Sequence, residues 1–289
     1  MIRKSWLNKQ ALILLVIVTF LSLASCLPDS LDVEGIPEVK PQIVVSTQFV
    51  PDRSLAVLLT KTFGALEPVN DSVPSALLTQ IVVNDAVVSI SGPNGADTLF
   101  NLGNGVYGGI FIPFQSGEEY TLNVTSAALG NVTATTTVKS IVSFNEIEAD
   151  LYYNGFGDTL AQINYQIRDV LLDKNYYMLN VQEVERADVI ENMINPRAYT
   201  RLLDDAGFAG QTYAESFRVV TRDYMPGDTI AVSLSNVSEE YYNFIKLRLD
   251  NRFSFVEFLG EPINYPSNVR GGKGFFNLHV PDFRFFVLQ

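Results

Sequence analysis

One cysteine and one histidine occur in 289 residues, and bases are outnumbered by acids, 20 to 32. The cysteine is Cys26, so the chain beyond it can form no internal disulfide and must be held by hydrophobic burial. Without a second cysteine or histidine there is no ligand set for a usual zinc site. Nor is there a thiol–imidazole pair away from the N-terminus. His279 lies in the apolar run Leu278-His279-Val280 and reads as a structural histidine in a terminal strand. The Gly-x-Ser-x-Gly elbow and the His-Glu-x-x-His pair are both missing. No apolar run reaches the ~20 residues that a spanning helix needs. The net charge of −12 argues against nucleic acid and against an anionic membrane surface as partners.

What is present is concentrated at the start. Arg3, Lys4 and Lys9 precede an apolar run from Ala11 to Leu23, which stops at Leu23-Ala24-Ser25-Cys26. A basic segment, a short apolar segment and small residues before a cut site describe an export signal over 1–25. Leu-Ala-Ser-Cys resembles the bacterial lipobox, in which the cysteine is acylated and becomes the first residue of the mature chain. Cys26 is therefore the expected lipidation site, with fatty chains such as palmitate as the membrane contact. Each buried methylene contributes about 0.8 kcal/mol, and several chains together anchor stably. Removing 1–25 takes away three bases and no acid, leaving a net charge near −15.

Residues 26–40 hold Pro28, Pro37, Gly35 and scattered acids and read as a tether. From Ile43 the pattern is that of strands. Ile43–Val50, Leu55–Phe63, Ala86–Ser91, Thr98–Leu102, Val106–Ile112, Tyr120–Val124 and Asn131–Val138 are apolar or alternate with period two. Gly92-Pro93-Asn94-Gly95 and Asn104-Gly105 are turns between them. Residues 64–80 read as an irregular excursion. Short strands at this spacing predict a first domain over 41–139, a β-sandwich of immunoglobulin-like or transthyretin-like type. The second, over 140–289, is expected to be β-rich with strands at Ala161–Asp169, Tyr176–Glu183, Phe217–Thr221 and Thr229–Leu234. One helix is expected near 238–251, capped by Ser238 with Glu239 and Glu240 in its first turn. The aromatic tail from Phe275 to Leu288 is expected to complete the core of this second domain. The fold class is mainly β.

Several segments resemble one family in order and spacing. They are the lipobox, Val87-Val88-Ser89-Ile90, Asn104-Gly105-Val106-Tyr107 and Gly117-Glu118-Glu119-Tyr120-Thr121-Leu122-Asn123-Val124. Ser238-Glu239-Glu240-Tyr241-Tyr242 and the run from Pro266 to Phe276 follow. The chain is similar to the Bacteroidetes lipoprotein family called domain of unknown function 4249, over essentially the whole mature length. Lys273 departs from the apolar residue expected between the glycines. The resemblance implies no catalytic residues and no cofactor. It implies an outer-membrane lipoprotein that accompanies TonB-dependent transporters, on either the periplasmic or the surface face.

Other motifs are weighed on their own chemistry. Arg270-Gly271-Gly272-Lys273-Gly274 could cradle an anion, but it lacks a following helix and reads as a tight hairpin. Asp204-Asp205 beside Gly207 and Gly210 lacks the calcium-loop spacing and reads as a solvated turn. In Tyr152-Tyr153, Tyr176-Tyr177 and Tyr241-Tyr242, one ring of each pair is expected in the core and one in solvent. Asp-Ser/Thr-apolar triplets, which also start turns by themselves, resemble the acceptor motif of Bacteroidetes O-glycosylation, and that resemblance implies candidates at Ser72, Thr98, Thr159 and Thr229. The expected function is a non-catalytic binding or accessory lipoprotein in nutrient uptake, its ligand unspecified. The alternatives are a structural or adhesive surface protein and, third, a carboxylate-based glycan hydrolase.

Overall fold

The computed structural model describes residues 40–50, 54–63, 79–109, 112–170, 174–184, 199–220, 223–251 and 265–289. The export signal, most of the tether, the excursion over 64–78 and the stretch 185–198 lie outside the described residues.

The strands are β1 (Ile43–Phe49), β2 (Leu55–Lys61), β3 (Ala86–Gly92), β4 (Gly95–Thr98), β5 (Phe100–Gly103), β6 (Val106–Gly108), β7 (Glu119–Ser126) and β8 (Gly130–Thr137). There follow β9 (Phe144–Tyr153), β10 (Thr159–Arg168), β11 (Tyr176–Glu183), β12 (Tyr199–Asp204), β13 (Thr212–Val219) and β14 (Thr229–Val237). Helix α1 (Glu239–Asn251) precedes β15 (Val269–Arg270), β16 (Lys273–Phe275) and β17 (Asp282–Val287).

Four sheets result. Sheet A has the order β16-β1-β2-β6-β5 and sheet B the order β15-β8-β7-β3-β4. The alternation of β1, buried at every odd position, turns Ile43, Val45 and Phe49 toward Leu122, Val124 and Val132 of sheet B. Sheet C (β13-β10-β9) packs in the same way on sheet D (β12-β11-β14-β17). Ile163, Ile167 and Val219 there meet Tyr177, Leu179, Val232 and Leu234. The segment expected as one strand, Thr98–Leu102, is two. Leu99 is buried and donates its N–H to Val88 O at 2.9 Å, and the chain then leaves β3 for β6. Strands β9 and β12 carry no clear period in the sequence, because their acids and polar residues hide the alternation.

Sheet D is covered on both faces, and this explains β14, which is buried from Ile230 to Val237. Its second face carries α1. Ser238 Oγ accepts the N–H of Tyr241 at 3.2 Å, the cap predicted from sequence. Tyr241 and Tyr242 then pack with Tyr176, Met178 and Phe275. Both members of Tyr176-Tyr177 and of Tyr241-Tyr242 are consequently buried, contrary to the half-solvated expectation.

The C-terminal segment divides. β17 pairs with β14, as expected of a strand completing the second half. β15 pairs instead with β8, and β16 runs parallel to β1, so one short hairpin supplies an edge strand to both sheet A and sheet B. Gly272 is required there, because a Cβ would overlap the Ile43 carbonyl oxygen. Arg270-Gly271-Gly272-Lys273-Gly274 is thus the tight hairpin. Phe275 and Phe276 are buried, whereas Phe285 is exposed.

Candidate functional site

Cys26 and Ser72 lie outside the described residues. Thr98 is exposed at the end of β4, Thr229 is exposed at the start of β14, and Thr159 is half-buried at the start of β10. The structure does not bring these three hydroxyls together in one strand pair. Asp204 caps a 3-10 turn through the N–H of Ala206 at 3.1 Å, and Asp205 is buried with the N–H of Asn175 on its carboxylate at 2.7 Å. Among the described residues no group of three or more acidic, histidine or cysteine side chains is placed to hold a metal ion.

His279 is not in a strand; it follows β16 in the connection to β17. Its ring packs on Phe49 at 4.6 Å between centroids, and the side-chain amide nitrogen of Asn277 lies 3.0 Å from Nδ1. Asn277 is fixed in turn by Thr47, whose hydroxyl donates to the Asn277 carbonyl and accepts its N–H, each at 3.1 Å. Burial alone lowers the imidazole to about 3, so the ring is neutral near pH 7.

His279 lines a cleft where β1, the second face of sheet D and α1 converge. Ser46 and Gln48 come from β1, Asn180 and Gln182 from β11, Thr200 from β12 and Ser233 from β14. Strand period two places these polar side chains on one face. Tyr241, Phe244 and Arg248 come from α1, where spacings of three and four put them on one side of the helix. Thr200 donates its hydroxyl to Asn180 Oδ1 at 2.8 Å, which leaves the Asn180 amide nitrogen as the open group. The Arg248 guanidinium lies over the Phe244 ring at 5.7 Å. Burial pushes the Tyr241 hydroxyl up to about 12, opposed by the Arg248 charge. Among the described residues that line the cleft there is no carboxylate, and its space is about 80 Å³. That is well below the ~300–1,000 Å³ of sites for drug-sized ligands. The sequence carried no signal for this site, because its residues come from six separated segments.

A second feature is a surface. Tyr153, Phe156, Val220 and Met225 are all exposed, Phe156 to 93%. They gather at one end of the second pair of sheets. Tyr153 pairs with Thr159, Tyr224 donates its N–H to the Thr159 carbonyl at 2.7 Å, and Phe156 tips the hairpin between β9 and β10. The single-residue norm of scattered surface apolars does not describe four at one end. No helix among the described residues is long and apolar enough to cross a membrane.

No curated protein matches the chain. Among solved structures, a segment of two fibronectin type III domains from chicken tenascin covers 68% of this chain and 90% of its own, at 10% identity and a TM-score of 0.20. The chicken interferon gamma receptor alpha chain has the same coverage and identity, with a TM-score of 0.19. Scores this low leave the fold to be read from the sheets themselves. The model of the family described as Domain of unknown function (DUF4249) matches residues 29–280.

Proposed function

Because the chain belongs to the DUF4249 family, we propose that it is a lipid-anchored protein of the bacterial outer membrane that acts by binding. In this reading it is a non-catalytic accessory partner of a TonB-dependent uptake system. The observation that carries the reading is the cleft under α1, whose polar floor and aromatic wall form a site built for contact rather than a set of reacting groups. The exposed end at Tyr153, Phe156, Val220 and Met225 supplies a surface on which a protein partner can dock. The sequence Leu23-Ala24-Ser25-Cys26 supplies the anchor. The exposed hydroxyls of Thr98 and Thr229 are the reachable acceptors for O-glycosylation among the described triplets, and Thr159 is the less accessible one.

The test has two parts. Cys26→Ala is expected to abolish incorporation of a labelled fatty acid and to release the protein from membranes. Cross-linking of the anchored protein in native membranes is expected to capture an outer-membrane transporter. Retained fatty-acid labelling in the alanine variant would sink the anchor, and capture of no transporter would sink the accessory role.

A further inference from the structure

We infer that the cleft under α1 binds a small organic carboxylate, with Arg248 as its charged anchor; this rests on the binding role proposed above. The chain carries 32 acids against 20 bases, yet among the described residues the cleft is lined by one arginine and by no Asp or Glu. Arg201, the other half-buried arginine among the described residues, has a carboxylate partner in Glu215, whereas the exposed Arg218 meets Gln162 and the Tyr152 ring. Arg248 is half-buried, with its guanidinium over the Phe244 ring. A partly desolvated guanidinium with open N–H groups is complementary to an anion, and its planar fork matches the two oxygens of a carboxylate.

The remaining open groups have the same polarity. The Asn180 carbonyl oxygen is engaged by Thr200, so its NH₂ is what remains to be offered. With the Asn277 amide nitrogen donating to Nδ1, the His279 ring carries its proton on Nε2 and presents a donor without a charge. Tyr241 stays protonated across the physiological range. Phe49, Phe244 and Phe275 give the ligand an apolar wall. Size sets the rest. The space of about 80 Å³ is roughly half of a cavity that holds benzene, which suits an acid of two to four carbons. One cation with no second base in the lining favours a monoanion over a phosphate dianion. Among the described lining residues no carboxylate is placed to hold a divalent cation.

The full chain in detergent, labelled with ¹⁵N, is titrated with propionate while the arginine Nε–H resonances and the melting temperature are followed. The expected result is a saturable shift of the Arg248 resonance and a rise in melting temperature. Arg248→Met, which keeps the apolar stem, is expected to weaken binding by roughly 10- to 100-fold, the range for losing hydrogen bonds to a charged group. Asn180→Asp adds a carboxylate to the cleft lining and is expected to abolish binding while the protein still melts cooperatively. Titrations with phosphate and propylamine are expected to leave the Arg248 resonance in place. The assignment is overturned if propionate does not saturate the wild type, or if it binds both variants as it binds the wild type. Equal binding of phosphate or propylamine overturns it as well. Transporter capture by cross-linking is read in parallel. Capture with no propionate response rejects the carboxylate and keeps the accessory role.

Discussion

Gly274 lies against Val45 so closely that a Cβ on it would overlap the Val45 carbonyl oxygen, and its φ is +93°. The two residues are register partners in the parallel pairing of β16 with β1, across almost the whole described chain. A lysine and a phenylalanine flank that glycine, yet only glycine lets the late strand approach the early one.

Gly274→Ala is therefore expected to cost about 3 kcal/mol or more, from positive-φ strain plus displacement of β1. Urea denaturation measures this. A loss below ~1 kcal/mol would mean that β16 does not seat on β1 in solution.

Ending the chain at Pro266 removes β15 and β16 from sheets A and B and β17 from sheet D. The first core loses Val269, Phe276 and Leu278, and the second loses Leu288. Each buried side chain of this size contributes about 1.5–3 kcal/mol, against a whole-domain stability of ~5–15 kcal/mol. Both halves are expected to lose cooperative melting. A protease-resistant 41–139 fragment with an unchanged melting curve would contradict the shared hairpin.

Arg201 crosses from sheet D to Glu215 of sheet C, with Nε 2.9 Å from the carboxylate, and Tyr165 donates its hydroxyl to the same carboxylate at 2.8 Å. Burial and then that carboxylate raise the tyrosine hydroxyl above its ordinary range. Arg201→Met strands the Glu215 charge in a partly buried site, and about 1–3 kcal/mol is expected to be lost after allowing for solvent screening. The double variant Arg201→Met with Glu215→Leu is expected to recover part of that loss. Additive effects in a double-mutant cycle would show that the pair is not coupled.

His279 gives a pH dependence whose sign is fixed by burial. Its folded value is about 3 against an ordinary 6.5, so the unfolded chain takes up a proton that the folded one refuses. Its contribution is fully present above pH ~6.5 and is lost as pH falls toward 3, at up to about 1.4 kcal/mol per pH unit. His279→Gln is expected to flatten that slope in urea midpoints measured between pH 7 and pH 4. An unchanged slope in the variant would assign the acid sensitivity to other groups.

Phe156→Ser, at an exposed hairpin tip, is expected to change stability by no more than ~0.5 kcal/mol. Cross-linking to the membrane partner is expected to fall in the same variant. Undiminished capture would remove this end of the molecule from the docking surface.

Local chemistry was legible along the chain. Ser238 with Glu239 and Glu240 marked the start of α1, Asn104-Gly105 marked the turn before β6, and the alternation of β1, β7 and β8 marked strands. These signals depend on neighbours a few residues apart, and the mainly β class follows from them. β9 and β12 escaped because their polar residues mask the period. The double burial of Tyr176 and Tyr177 escaped because no local pattern says that a sheet will be covered twice.

The lipobox-like start, the strand-rich class, the capped helix and the glycine hairpin are readable along the chain, since each is a contest between neighbouring residues. That the hairpin of residues 269–275 serves sheets A and B, and that Arg248, Asn180 and His279 share one cleft, emerges only on folding. Those outcomes depend on which surfaces bury one another across some two hundred residues of chain. Hydrophobic burial is non-directional, so the pattern that says a face is to be covered does not say by what.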